Sequence, residues 1–310
     1  MKGRHFINLS DFSSHELISI LEYADELKTK QRDLIPHKLL AGMTLAMLFE
    51  KTSTRTRVSF EVGMHQLGGH ALFLEQRAIQ LGGTGETIGD TAKVLSRYVN
   101  GIMARVFAHA GLEEMAHHAT VPIINGLSDD SHPCQIMADL LTVKQEFGEL
   151  KGRKLAYVGD GNNVANSLLV GCAKLSMDVA VATPAGYEPD PRYIDTTKAI
   201  ATDSGSQIDV GSEISPEEAV ANADAIYTDT WVSMGDEGQK KDRLEIFPPY
   251  QLNNSLLNKA KTNAIVLHCL PAHRGYEITD EVMDGAQSRV FRQAENRLHA
   301  QKAIMALLMQ

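Results

Sequence analysis

The sequence predicts an α/β protein of two doubly wound domains, each built on a parallel sheet, joined by interdomain helices. Three observations predict it. Short apolar runs alternate with helix signals along the whole chain, the pattern of a parallel sheet with crossover helices. The 310 residues suit two domains at roughly 100–200 residues each. Polar, charged or reactive residues gather just after six of the apolar runs, where open parallel sheets place their ligands.

The elements follow in order. Ser13 with Glu16 forms a capping box, and Leu17, Leu21, Ala24 and Leu27 recur at helical spacing, so a helix is expected over 14–30. Residues 43–49 read as a buried strand. Val58, Val62 and the stop at Gly68-Gly69 predict a helix over 54–67. Strands over 101–106 and 121–125 precede a helix over 134–147. Lys154–Val158 is a strand, 163–176 a helix and Asp178–Ala182 a strand. Ser215-Pro216-Glu217-Glu218 combines an N-cap, a proline at the first helical position and a capping-box glutamate. Ala225–Thr228 and 264–267 are strands. Leu298, Ile304, Leu307 and Leu308 give the last helix, about 294–309, an apolar face. The Gly148–Gly152 stretch suggests a boundary, with a first domain over 1–147 and a second over 148–293. The helix at 294–310 is expected to pack back onto the first domain.

Composition excludes several classes. Lys+Arg is 30 and Asp+Glu 39, a net charge of −9, which lacks the basic footprint that nucleic-acid binding needs. Three scattered cysteines, Cys134, Cys172 and Cys269, build no disulfide framework and fit a reducing cytoplasm. Met1–His5 leads into no apolar run of signal-peptide length, and no apolar stretch reaches membrane-spanning length. A cytoplasmic protein with no membrane and no nucleic-acid partner is expected.

The sharpest local signal is Ser53-Thr54-Arg55-Thr56-Arg57, hydroxyls and guanidiniums on the first turn of a helix that follows a strand. Unpaired N–H groups and the positive dipole end suit an anion there, and arginine adds permanently charged donors matched to phosphate. The bland alternative is an N-cap with solvated arginines. No G-x-x-x-x-G-K-S/T phosphate loop occurs. Arg105 ends its strand as an anion contact or as an ordinary edge arginine. His132 is a capping or core histidine alone, but Gln135 lies one turn on, and the pair suits a polarised carbonyl oxygen. Arg297 in the last helix is a ligand contact or a solvated residue. With Arg57, these arginines would focus positive charge in an acidic protein.

The later exits are more open. Gly159-Asp160-Gly161-Asn162-Asn163-Val164 is a poor dinucleotide fingerprint: its third glycine is Val164, and Thr183-Pro184 stands where the ribose-binding acid belongs. Asn163 is a polar substrate contact or part of a tight turn. Asp229 is an amine partner or a turn residue, and Trp231 is simplest as a packing residue. Cys269, between His268 and His273, is a core thiol, a nucleophile or a zinc ligand. Zinc needs three or four spaced ligands, and no C-x-x-C occurs.

Four segments carry a family resemblance over nearly the whole chain: Phe49–Arg57 (FEKTSTRTR), His132-Pro133-Cys134-Gln135, Asp229–Gly235 (DTWVSMG) and His268-Cys269-Leu270-Pro271. The chain resembles the aspartate/ornithine transcarbamoylase family, and within it the ornithine carbamoyltransferases. The resemblance implies transfer of a carbamoyl group from carbamoyl phosphate to the side-chain amine of L-ornithine, giving L-citrulline and phosphate in arginine metabolism, in either the synthetic or the degradative direction. It implies no metal or organic cofactor and a homotrimer or a multiple of trimers. It assigns Ser53, Thr54, Arg55, Thr56, Gln80, Arg105, His132, Gln135, Cys269, Leu270 and Arg297 to carbamoyl phosphate. It assigns Asn163, Asp229, Ser233 and Met234 to ornithine, with Arg105, His132, Cys269 and Asp229 as the catalytic set. The stretch Gln80-Leu81-Gly82-Gly83-Thr84-Gly85-Glu86 departs from the shorter, arginine-containing loop of many relatives. A transcarbamoylase for putrescine, acylated ornithine or aspartate, an anion-binding protein without catalysis, and an NAD dehydrogenase are the rival readings.

Overall fold

The computed structural model describes residues 1–75, 85–233, 235 and 237–310. They form two compact units, one of Met1–Leu141 with Glu295–Gln310, the other of Thr142–Ala294.

In the first unit the capping box at Ser13 and Glu16 is formed and starts α1 (Ser14–Arg32). Its apolar positions Leu17, Ile20, Leu21, Ala24 and Leu27 are all buried, at helical spacing. Strand β1 (Thr44–Phe49) buries five successive residues, as a central parallel strand covered on both faces must. It leads into α2 (Thr54–Gln66). Then come β2 (His70–Glu75), α3 (Ile88–Tyr98), β3 (Gly101–Arg105), α4 (His109–His118), β4 (Ile123–Leu127) and α5 (Pro133–Phe147). The four strands pair in parallel in the order β2-β1-β3-β4. Ala46, Leu48, Ile102, Ala104 and Ile123 on the strands pack against Leu112 and Met115 of α4. Each leucine, isoleucine or methionine among them contributes about 1.5–3 kcal/mol on full burial.

The second unit runs β5 (Lys154–Val158), α6 (Asn163–Lys174), β6 (Asp178–Ala182), α7 (Pro191–Ser204), β7 (Ile208–Gly211), α8 (Pro216–Val220) and β8 (Ala225–Thr228). It continues through α9 (Lys240–Ile246), α10 (Asn254–Leu257), β9 (Ile265–His268) and α11 (Asp280–Met283). Its parallel sheet has the order β7-β6-β5-β8-β9. Ala156, Val158, Ile226 and Val266 face Leu252, Ile278 and Val282 in its core. The predicted capping box at Ser215 and Glu218 opens α8. Two helices carry the chain across the division, α5 and the last, α12 (Val290–Met309).

Several elements differ from the sequence reading. β2 and β7 are edge strands with no fully buried residue, so neither shows the apolar run that marks a central strand. α12 starts at Val290, four residues earlier than expected, which moves Arg297 from the helix start into its second turn. Both sheets reverse direction once. In the first the chain goes from β1 out to β2 and returns to β3 on the other side; in the second the same happens between β5 and β8. Such switch points open a crevice at the strands' carboxyl ends.

Candidate active site

In the first unit the crevice lies beyond Phe49 of β1 and Arg105 of β3. Ser53 caps α2: its hydroxyl accepts the Thr56 N–H at 3.2 Å and donates to Thr56 Oγ1 at 3.1 Å. The cap holds the first turn with Thr54 exposed, Arg55 partly buried and Thr56 fully buried, and no acid stands in that turn. Arg105 follows a register irregularity between Ala104 and Arg105, where β3 shifts against β4. The extra residue, Gly126, lies on β4, so that strand takes up the bend, and Arg105 is buried. Arg297 reaches back from α12, and its Nη2 donates to Thr56 Oγ1 at 2.9 Å.

His132 is buried on the loop after β4. That loop is fixed by fully buried polar contacts: Asn125 Nδ2 donates to Ser131 Oγ at 2.9 Å and to the Ile7 carbonyl at 3.0 Å. Ser131 N–H donates to Ser128 Oγ. Pro133 opens α5, where its missing N–H costs nothing. Burial first, then the guanidiniums of Arg297, Arg105 and Arg55, hold the His132 pKa well below the ordinary histidine value. At neutral pH its ring is therefore neutral, a hydrogen-bond donor rather than a cation. Gln135, also buried, donates from Nε2 to Asp139 Oδ1 at 2.8 Å. Cys134 next to it is inert, because burial pushes its thiol up to about 12.

Arg57 does not join this group. It pairs with Glu61 at 3.3 Å and lies over the Phe73 ring at 3.9 Å, on the outer face of α2.

In the second unit the crevice lies beyond Val158 of β5 and Thr228 of β8. Asp229, the first residue after β8, is buried and collects three donors. Asn162 Nδ2 reaches Oδ2 at 2.9 Å; Thr230 N–H and the Cys269 thiol reach Oδ1, each at 2.8 Å. Asn162 also caps α6 by accepting from Val164 and Ala165 N–H. Asn163 is the first residue of α6 and half-buried, as is Ser233. Gly161 explains the weak glycine motif. A Cβ there would meet Glu188 and Pro189 backbone at 2.3 Å, so the glycine serves close packing of the loop.

Cys269 and Leu270 follow β9. Leu270 has φ +61°, uncommon for a residue with a Cβ. Its N–H donates to His268 Nδ1 at 2.9 Å, so the ring proton sits on Nε2 and points to Glu277 Oε1 at 3.1 Å. Glu277 also accepts the His273 N–H. Among the described residues one group could hold a metal ion, Asp229, His268 and Cys269, with ligand atoms within 4.8 Å. Hydrogen bonds already occupy both His268 nitrogens and the Cys269 thiol. Trp231 is buried against Phe247, as a packing residue.

The structure thus gathers Thr56, Arg55, Arg105, His132 and Arg297 in the first unit and Asp229 with Cys269 in the second. Gln80 and Met234 lie outside the described residues. Sequence reading missed Asn162 and Glu277. Asn162 carried a legible signal as an N-cap candidate before Asn163-Val164, whereas nothing local marks Glu277.

Two family models match successive parts of the chain. The aspartate/ornithine carbamoyltransferase carbamoyl-P binding domain matches residues 4–145, and the Asp/Orn binding domain of that family matches 151–308. The chain belongs to the aspartate/ornithine carbamoyltransferase family. Among members of the family, the ornithine carbamoyltransferase of Anoxybacillus flavithermus is 54% identical over 309 residues, covering 100% of this chain and 98% of that protein. That of Thermococcus kodakarensis is 53% identical, covering 100% and 97%. The solved ornithine carbamoyltransferase of Pyrococcus furiosus superposes with a TM-score of 0.96 at 54% identity, covering 99% of this chain and 97% of that one.

Proposed function

We propose that this carbamoyltransferase-family chain transfers the carbamoyl group of carbamoyl phosphate to the side-chain amine of L-ornithine, giving L-citrulline and phosphate. Residues 1–147 serve carbamoyl phosphate and 148–293 serve ornithine. The observation that carries the proposal is the neutral His132 beside three arginines at the β1/β3 switch point. Support also comes from the names of its full-length relatives.

Ser53, Thr54, Arg55 and Thr56 hold the phosphate with the α2 N-terminus, as helix starts hold anions. Arg105 bridges phosphate and carbamoyl oxygen. The amine nitrogen attacks the carbamoyl carbon, the carbonyl oxygen gains negative charge, and the carbon–oxygen bond to phosphate then breaks. Arg105 and His132 stabilise the oxyanion by hydrogen bonds aimed where charge develops. Gln135 holds the carbamoyl NH2. Arg297, Cys269 and Leu270 complete the carbamoyl contacts, and Gln80 is assigned to the same substrate.

Asn163, Asp229, Ser233 and Met234 bind ornithine. Only the neutral amine attacks, and a carboxylate alone would raise an amine's pKa, so Asp229 orients it. Cys269, in its thiolate form, is the candidate proton acceptor. We assign the chain to the cytoplasm, to arginine biosynthesis, and to a homotrimer or a multiple of trimers, working with no metal or organic cofactor. Citrulline formation from carbamoyl phosphate and a panel of ornithine, putrescine, acetylornithine and aspartate tests the proposal. Ornithine should be the preferred acceptor; preference for another amine would refute the assignment.

A further inference from the structure

Gln135 and Asp139 sit one turn apart on α5 and are both almost completely buried. The Gln135 amide has two faces of opposite character. Its NH2 only donates and its oxygen only accepts. Asp139 presents a carboxylate oxygen, which only accepts, so it fixes which way the amide lies: Nε2 toward Asp139 at 2.8 Å, Oε1 away from it. The reverse orientation would set the amide oxygen against a carboxylate oxygen. Oε1 itself is buried and has no hydrogen-bond partner among the described residues. A buried acceptor left in that state costs free energy until something donates to it.

We propose that Asp139 is a positioning residue that determines specificity for the carbamoyl group, by holding Gln135 with its oxygen presented to the substrate NH2. The inference rests on the reaction proposed above. The carbamoyl NH2 supplies the missing donor. In acetyl phosphate a methyl group replaces that NH2 and supplies none. Gln135 in the Asp139-imposed orientation therefore favours carbamoyl over acetyl phosphate. The same amide turned over would meet the carbamoyl NH2 donor to donor. Sites built to hydrogen-bond a substrate group discriminate strongly against analogues lacking it, since the protein partner is then stranded.

Asp139→Asn tests this, because an asparagine can pair with Gln135 in either orientation. The expected result is a fall of about tenfold in kcat/KM for carbamoyl phosphate, with the inhibition constant of acetyl phosphate changed by less than about twofold. A merely structural role would shift both together. Equal shifts, or no shift in either, would overturn the assignment. Wild-type protein that forms no citrulline would instead overturn the reaction itself, which separates the two failures. If the variant does not fold, neutron diffraction from the deuterated wild-type protein decides: deuterons belong on the Gln135 atom facing Asp139, and an oxygen there would overturn the proposal.

Discussion

Replacing Arg297 by methionine separates what this residue does for the substrate from what it does for the fold. The Arg297 side chain is 3% exposed and donates to Thr56 Oγ1 at 2.9 Å. A hydrogen bond to a charged group is worth about 1.5–3 kcal/mol. In the free protein that gain is offset. Burying a guanidinium costs several kcal/mol, and Arg55 and Arg105 act on the same His132 with the same sign of charge. Thr56 Oγ1 also keeps Ser53 Oγ as a partner at 3.1 Å. Arg297→Met should therefore move the thermal midpoint by less than about 4 °C, roughly 1–2 kcal/mol for a unit of this size. An anion alters the balance, since it needs the cation and the desolvation is already spent. Loss of about 1.5–3 kcal/mol of charge-assisted binding predicts a fall in kcat/KM for carbamoyl phosphate of about 10- to 100-fold. The stabilisation of the folded state by inorganic phosphate should shrink in parallel. Steady-state citrulline assays and thermal melts with and without phosphate measure both quantities. A kcat/KM within about threefold of wild type, or a large loss of stability with unchanged kinetics, would refute the reasoning.

Three further outcomes follow from the same geometry. His132 and His299 both have pKa values lowered chiefly by burial, that of His299 to about 4, so the unfolded chain binds their protons first. Their contribution to stability is complete above the unfolded value near 6.5 and is lost as pH falls below it, at about 1.4 kcal/mol per pH unit for each. Urea midpoints measured from pH 8 to 5 should fall below pH 6.5, and a midpoint that rises on acidification contradicts the burial of neutral rings. Asn162→Ala removes the α6 cap and the Asp229 tether together. It should cost about 1 kcal/mol of stability and raise the KM for ornithine several-fold while sparing that for carbamoyl phosphate; equal changes in both KM values would count against it. Glu277→Gln weakens the acceptor that holds His268 and, through it, the Leu270 N–H. It should lower kcat more than it lowers the melting temperature would suggest, and an unchanged kcat would show that the Cys269–Leu270 turn holds itself.

Much of the fold was legible because it rests on local chemistry. The Ser13 and Ser215 capping boxes, the apolar face of α1 and the buried run of β1 are properties of neighbouring residues. The candidate site could be located because parallel sheets present ligand-binding groups at strand ends, and Ser53, Arg105, His132 and Asp229 each stand at a strand end or on the loop beyond one. What stayed hidden depends on distant partners. β2 alternates exposed and half-buried residues at a sheet edge, so no apolar run announces it. Arg57 looks like its neighbour Arg55, and only the positions of Glu61 and the Phe73 ring on the folded surface turn it outward. Glu277 meets His268 across a loop whose path no short-range rule specifies. The amide orientation of Gln135 is set by Asp139 four residues on, a spacing visible in the sequence but meaningful only once both side chains are buried.

The most direct test is the initial rate of citrulline formation by the purified chain with carbamoyl phosphate, ornithine and its competitors, run beside the Arg55→Ala and Asp229→Ala variants. Carbamoyl transfer predicts a clear preference for ornithine, a loss confined mainly to carbamoyl-phosphate use in the first variant, and a loss in ornithine use in the second. Wild-type protein that makes no citrulline, or both variants matching it in kcat/KM, would contradict the assignment of the two switch-point crevices to the two substrates.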